Sequence, residues 1–171
     1  MLDADVILKI TESLTDREKI HLASTSKEMD KMKLKMKYTE KINMQKRKIR
    51  RLPYFNNFEY VKIDITDMAL WSRDIADDVY PRYAKHIYLE MSQNISRHNL
   101  SAIDYYLERL TANIPVTVTH LTFGKYFNIP LINKIPRTIT HLIFGQHFMR
   151  CHYLTLVRYN ELIKILISSG V

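Results

Sequence analysis

From Val118 onward the apolar residues fall into one spacing and then repeat it. Val118, Leu121 and Phe123 occupy positions 1, 4 and 6 of a short segment, and Ile139, Leu142 and Phe144 occupy the same positions 21 residues later. The match extends beyond the apolar set. Residues 114–127 read IPVTVTHLTFGKYF and residues 135–148 read IPRTITHLIFGQHF, with nine of fourteen positions identical. So short a period predicts a stacked-repeat architecture, because one such unit cannot bury its own apolar face. The alternation predicts a strand with positions 1, 4 and 6 in the core and positions 3 and 5 facing outward. Pro115 and Pro136 precede the strands, where a missing N–H is tolerable. Gly124 and Gly145 leave through a turn, and Phe127 and Phe148 are expected to fold back as a second core layer.

Two weaker copies lie upstream once the period is allowed to vary. Ala84, Ile87 and Leu89 follow Pro81 as Val118 follows Pro115, and Phe58, Val61 and Ile63 keep the same spacing. Between Leu89 and Ile114, residues 99–110 place Leu100, Ile103, Leu107 and Leu110 on one helical face, predicting a helical return. Downstream, Asn160, Ile163 and Ile165 suit a closing strand, whereas residues 153–167 suit equally an amphipathic capping helix.

The N-terminal pattern has helical spacing instead. Residues 2–14 carry Val6, Ile7, Ile10 and Leu14 on one face, with Asp3 or Asp5 available as a cap. Thr15 and Glu18 form a capping-box pattern ahead of Ile20, Leu22 and Ala23. A second such pattern, Thr25 to Glu28, opens a third helix with Met29, Met32 and Met36 at helical spacing. Three helices in about 40 residues bury too little surface to stand alone, so this unit leans on the rest of the chain or on a partner.

Composition narrows the function. The chain has 171 residues, 46% of them hydrophobic, which suffices for a core. No apolar run approaches the roughly 18 residues of a membrane span, and Asp3, Asp5, Lys9 and Glu12 interrupt any secretory leader. Cys151 is the single cysteine, which excludes an internal disulfide and a multi-cysteine zinc site and fits a reducing compartment. The three glycines, Gly124, Gly145 and Gly170, are too scattered for a phosphate-cradling loop. The net charge of +8 belongs to one stretch, because residues 27–51 hold eleven Lys or Arg against three acids.

The order Leu2, Val6-Ile7-Leu8, Ile10, Leu14, Thr15-Asp16, Ile20, Leu22, Ser24-Thr25-Ser26, Lys27 resembles an F-box over residues 1–40, with Asp3 where the family has Pro. The alternative is a plain three-helix cap packed on the repeats. The 1, 4, 6 spacing resembles the strand of a leucine-rich repeat. Phe127-Asn128-Ile129-Pro130, after T-H-L-x-F-G, is similar to the FNIP repeat; the second copy departs from it with Met149-Arg150-Cys151. Together these resemblances imply an α+β chain: an F-box-like helical unit (1–40), a basic connector (41–52) and a short leucine-rich-repeat-like FNIP β-solenoid (53–171). They further imply a substrate receptor of a cullin–RING ubiquitin ligase, of the kind expected in amoebae and their giant DNA viruses. The Lys-, Ile-, Asn- and Tyr-rich composition is compatible with that source.

Two candidate surfaces result. Leu2, Val6, Ile7, Ile10, Leu14, Ile20 and Leu22 are expected to dock a Skp-type adaptor. The target-binding face is expected to be the column Tyr60, His86, His120, His141 with its neighbour Lys62, Tyr88, Thr122, Ile143, because each ring joins contact area to a polar tip. Three stacked imidazoles, each titrating near pH 6.5, are expected to repel one another when protonated and to make target capture change between about pH 5.5 and 7.5. The two columns hold no carboxylate, although Glu59 is adjacent, so neither a metal nor another cofactor is expected. Cys151 and His152 are neighbours only in sequence, which gives no catalytic geometry, and no enzyme activity is expected. Residues 31–51 compete as a nucleic-acid or anionic-lipid contact or a nuclear-import signal. Little aromatic content beyond Tyr38 argues against base stacking. A cytoplasmic location follows from these expectations, with the nucleus reached through the basic stretch, and no membrane partner.

Overall fold

The repeat spacing becomes a sheet one strand at a time. The computed structural model describes residues 3–44, 47–65, 79–91, 100–127, 135–146, 148 and 164–167. Six strands run parallel and lie side by side in chain order: β1 (Ile42–Asn43), β2 (Tyr60–Asp64), β3 (His86–Glu90), β4 (His120–Phe123), β5 (His141–Phe144) and β6 (Lys164–Ile167). Val61 pairs with Ile87, Ile87 with Leu121 and Leu121 with Leu142, so the position 4 residues form one buried column. Ile63, Leu89 and Phe123 form the next, which Phe144 extends by stacking on Phe123 at 5.3 Å. Each fully buried side chain of this size contributes roughly 1.5–3 kcal/mol.

The same turn opens β3, β4 and β5. Ala84, Val118 and Ile139 donate their amides to the carbonyls of Pro81, Pro115 and Pro136 at 3.1, 3.0 and 3.2 Å. Proline suits that place because only its carbonyl is needed. The carbonyl ahead of each strand then accepts two amides from the next rung. Glu59 takes those of Lys85 and His86, Lys85 those of Thr119 and His120, and Thr119 those of Thr140 and His141, all at 2.9–3.1 Å. On leaving β4 and β5, Phe127 and Phe148 donate to the carbonyls of Gly124 and Gly145, which sets their rings 4.3 Å from Phe123 and 4.0 Å from Phe144. Gly145 packs directly on the neighbouring rung: a Cβ there would strike the Gly124 carbonyl and stand 2.7 Å from the Lys125 Cα. The longer return between β3 and β4 holds helix α5 (Leu100–Ala112), with Leu107 and Leu110 in the core.

Both edges of the sheet differ from expectation. At the first edge Tyr38 bridges Phe58, Ile42 pairs with Val61, and the Met44 amide donates to the Lys62 carbonyl at 2.9 Å. This rung runs 38, 42, 44, one residue longer than the 1, 4, 6 template, so the repeat spacing conceals it. At the other edge Ile165 pairs with Leu142 and Ile167 with Phe144. The closing strand therefore exists, but positions 4 and 6 fall on Ile165 and Ile167, two residues later than Ile163 and Ile165. Residues 153–163 lie outside the described residues, as do Leu2, Asn128–Pro130 and Cys151–His152.

Ahead of the sheet lie α1 (Ala4–Thr11), α2 (Asp16–Ala23) and α3 (Lys27–Met32). Asp3 caps α1, accepting from the Asp5 amide at 3.3 Å, and the Thr15–Glu18 capping box forms on α2. α1 stops short of Leu14, where the Thr11 and Ser13 hydroxyls bond back to the Leu8 and Ile10 carbonyls. The cap of α3 is Ser26, not Thr25, and the helix ends at Met32, so Met36 enters the core from the following turn. Asp16 joins the helices to the sheet edge. Its carboxylate accepts the amides of Thr39 and Glu40 at 3.0 and 2.9 Å and pairs with Lys19 at 3.2 Å; Lys19 in turn donates to the Lys37 carbonyl at 2.8 Å. Both ends of this pair are buried. A short helix α4 (Arg47–Arg50) and a 3-10 turn (Phe55–Asn57) lead to β2, beneath a cluster of Tyr38, Tyr54 and Phe58.

Candidate functional site

Strand alternation leaves positions 3 and 5 half-buried on the outer face of β2–β5. Pairing places Tyr60, His86, His120 and His141 in one row and Lys62, Tyr88, Thr122 and Ile143 in the next. The rings form two stacked pairs. Tyr60 lies 4.2 Å from His86 and His120 lies 4.2 Å from His141, each pair 4° from parallel, while His86 and His120 are tilted by 41° at 5.5 Å. The break has a local cause. His120 and His141 hold their Nδ1 atoms against the hydroxyls of Thr119 and Thr140 at 2.8 and 2.9 Å. Lys85 precedes His86 and offers no hydroxyl, so that ring turns its Nε2 to the Thr122 hydroxyl at 2.9 Å. The hydroxyl-to-ring pinning was not anticipated, although the repeated Thr-His pair carries it.

Cations close one end of the face. The Lys41 ammonium lies 4.8 Å from the Tyr88 ring and 5.3 Å from that of Tyr60, and Lys62 lies 5.4 Å above Tyr88 while pairing with Glu90 at 3.1 Å. Burial, then the neighbouring His120 and Lys41, pushes the His86 imidazole down to about 4. Burial and then His141 also lower His120. Burial, with Glu90 beside it, pushes the Tyr88 phenol up to about 12. His86 is therefore neutral throughout pH 5.5–7.5, and mutual repulsion of three charged imidazoles does not arise in that window. What the face offers is stacked rings, hydroxyls and lysine ammoniums over the tyrosines, chemistry suited to recognition. Among the described residues no group of three or more His, Cys, Asp or Glu side chains is arranged to hold a metal ion.

The apolar set on the helices divides. Val6, Ile10 and Ile20 are exposed at 46, 49 and 36%, with Val6 and Ile10 one turn apart on α1. Ile7 is half-buried and packs on the core beside Leu8, while Leu14 and Leu22 are half-buried. Along the basic stretch Met36 and Tyr38 point inward and Lys35 and Lys37 outward. No helix among the described residues is long and apolar enough to cross a membrane.

A parallel sheet laid down rung by rung, with like side chains stacked in columns, defines a repeat-built protein. Residues 106–147, carrying the end of α5 with β4 and β5, match the family model described as FNIP Repeat. No curated protein and no solved structure matches the chain.

Proposed function

We propose that the chain is a non-catalytic interaction scaffold, a substrate receptor of an SCF-type cullin–RING ubiquitin ligase. In this reading residues 1–40 form an F-box-like unit that docks a Skp-type adaptor, and residues 41–52, whose strand Ile42–Asn43 already pairs with β2 as the first rung, lead into the leucine-rich-repeat-like solenoid of residues 53–171. The solenoid face captures the protein to be ubiquitinated. FNIP repeats are generally protein-interaction repeats, which supports the second half. The observation that carries the whole is the separation of two surfaces. Val6, Ile10 and Ile20 lie exposed on the helices while Ile7 and Leu8 pack inward, and the Tyr/His columns lie on the outer face of the sheet. The buried Asp16–Lys19 link fixes one surface relative to the other, as a receptor that presents a target requires.

Titration calorimetry of the full chain with a purified Skp-type adaptor tests this. The wild-type chain is expected to bind at micromolar concentration or tighter. Val6→Asp combined with Ile10→Asp should weaken binding by at least about tenfold, because a charge is introduced into an apolar contact. An adaptor that does not bind the wild-type chain removes the ligase from the reading. The protein is then a repeat-based binding module whose helices serve as a cap.

A further inference from the structure

A groove of about 450 Å3 lies where the turn after α3 meets the entry turns of β3 and β4, and none of the residues assigned to either surface lines it. Its walls include Leu34 and Tyr83, large apolar side chains left 56 and 53% exposed. Its shape is held by hydrogen bonds to backbone carbonyls. The Asn57 amide group donates to the Leu34 carbonyl at 2.7 Å, the Tyr83 amide to the Asn56 carbonyl at 3.2 Å, and the Thr117 hydroxyl to the Ala84 carbonyl at 2.8 Å. A groove built before its ligand arrives loses little ordering entropy on binding.

The charge around it is one-sided. Lys35 and Lys37 are exposed and make no ion pair among the described residues. Glu59, the one acid lining the groove, is held by Lys85 at 2.7 Å. The same lysines belong to residues 27–51, which carry the entire +8 excess. Attraction to a polyanion alone would leave Leu34 and Tyr83 uncovered, and one tyrosine makes a poor platform for successive bases. We propose that this groove binds an extended acidic peptide segment, with an aliphatic or aromatic anchor lodged against Leu34 and Tyr83 and its carboxylates on Lys35 and Lys37. This is a second protein-binding site, distinct from target capture on the sheet face and independent of it.

Fluorescence anisotropy with the full chain decides the matter. The probe is a fluorescein-labelled peptide alternating glutamate with leucine and phenylalanine. An all-glutamate peptide of equal charge and a labelled single-stranded oligonucleotide serve as comparisons. The mixed peptide is expected to bind at least about tenfold more tightly than the all-glutamate one. Tyr83→Ser alone, Leu34→Ser with Tyr83→Ser, and Lys35→Glu with Lys37→Glu should each weaken it by several-fold or more. His120→Ala with Thr122→Ala, on the sheet face, should leave it unchanged. Equal affinity for the all-glutamate peptide or the oligonucleotide would overturn the proposal, as would wild-type affinity in the folded Tyr83→Ser chain.

Discussion

Thr119 and Thr140 do more than occupy strand positions, because each hydroxyl fixes the ring of the histidine that follows it. His86 lacks that neighbour, is held by Thr122 instead, and is kept neutral down to about 4, chiefly by burial. In the unfolded chain the same imidazole titrates near pH 6.5. The unfolded state therefore takes up the proton first as pH falls, and native stability is full above about 6.5 and declines toward about 4. Denaturant midpoints at pH 7.5 and 5 should show this loss, and His86→Gln should reduce it; an undiminished loss in that variant would assign the effect elsewhere. A second contrast concerns the glycines. At Gly145 an added Cβ meets backbone, whereas at Gly124 its nearest neighbours are the carboxylate atoms of Glu90, the far end of a flexible side chain that pairs with Lys62, with the Glu90 Cα at 3.2 Å. Gly145→Ala should destabilise by about 1–3 kcal/mol and Gly124→Ala by less, checked by urea unfolding. The sequence revealed which residues share the outer face, since strand alternation is a matter of counting. It concealed ring orientation and the neutrality of His86, which depend on neighbouring hydroxyls and on burial in the folded chain.

At the scale of elements, legibility followed the regularity of spacing. The four central strands and α5 could be read from the 1, 4, 6 and helical patterns. The edge rung at Tyr38, Ile42 and Met44 could not, because its extra residue breaks the template while still delivering a buried Tyr and Met. At the opposite edge a shift of two residues preserves the alternation, so the composition of the strand agreed with either register. The α3 cap falls one residue later than the Thr25–Glu28 pattern because Ser26 is also a competent cap, and a better one than threonine by preference. Within the sheet Phe144 is wholly buried between Phe123 and Phe148, and Phe144→Ala should cost about 3–5 kcal/mol in thermal or urea unfolding. A variant that melts like the parent would mean that these rungs do not share a core. Asp16→Ala strands the buried Lys19 ammonium and two amides, an effect of about 3–5 kcal/mol for a broken buried pair. Hydrogen exchange at Thr39 and Glu40 should accelerate in this variant well beyond that of the β4 amides. Unchanged protection would mean that the helices are held to the sheet by other contacts.

Across the whole molecule, helices and sheet form a chain of local packings, each rung resting on the one before it. Such construction gives two outward surfaces held in fixed relation: an exposed apolar strip at Val6, Ile10 and Ile20, and the ring columns from Tyr60 to His141. The sequence pointed to both through resemblance and spacing. The division of the helical strip, with Ile7 turned inward, became visible only in the folded chain. If the two surfaces serve different partners, they separate by mutation. The decisive comparison is quantitative affinity capture from cells with three forms of the chain: wild type, the face variant His86→Ala/Tyr88→Ala/His120→Ala, and the helix variant Val6→Asp/Ile10→Asp. The face variant should keep the Skp-type adaptor and lose the captured target, and the helix variant should do the reverse. A face variant that retains the same target at wild-type levels would show that the sheet columns are not the capture surface.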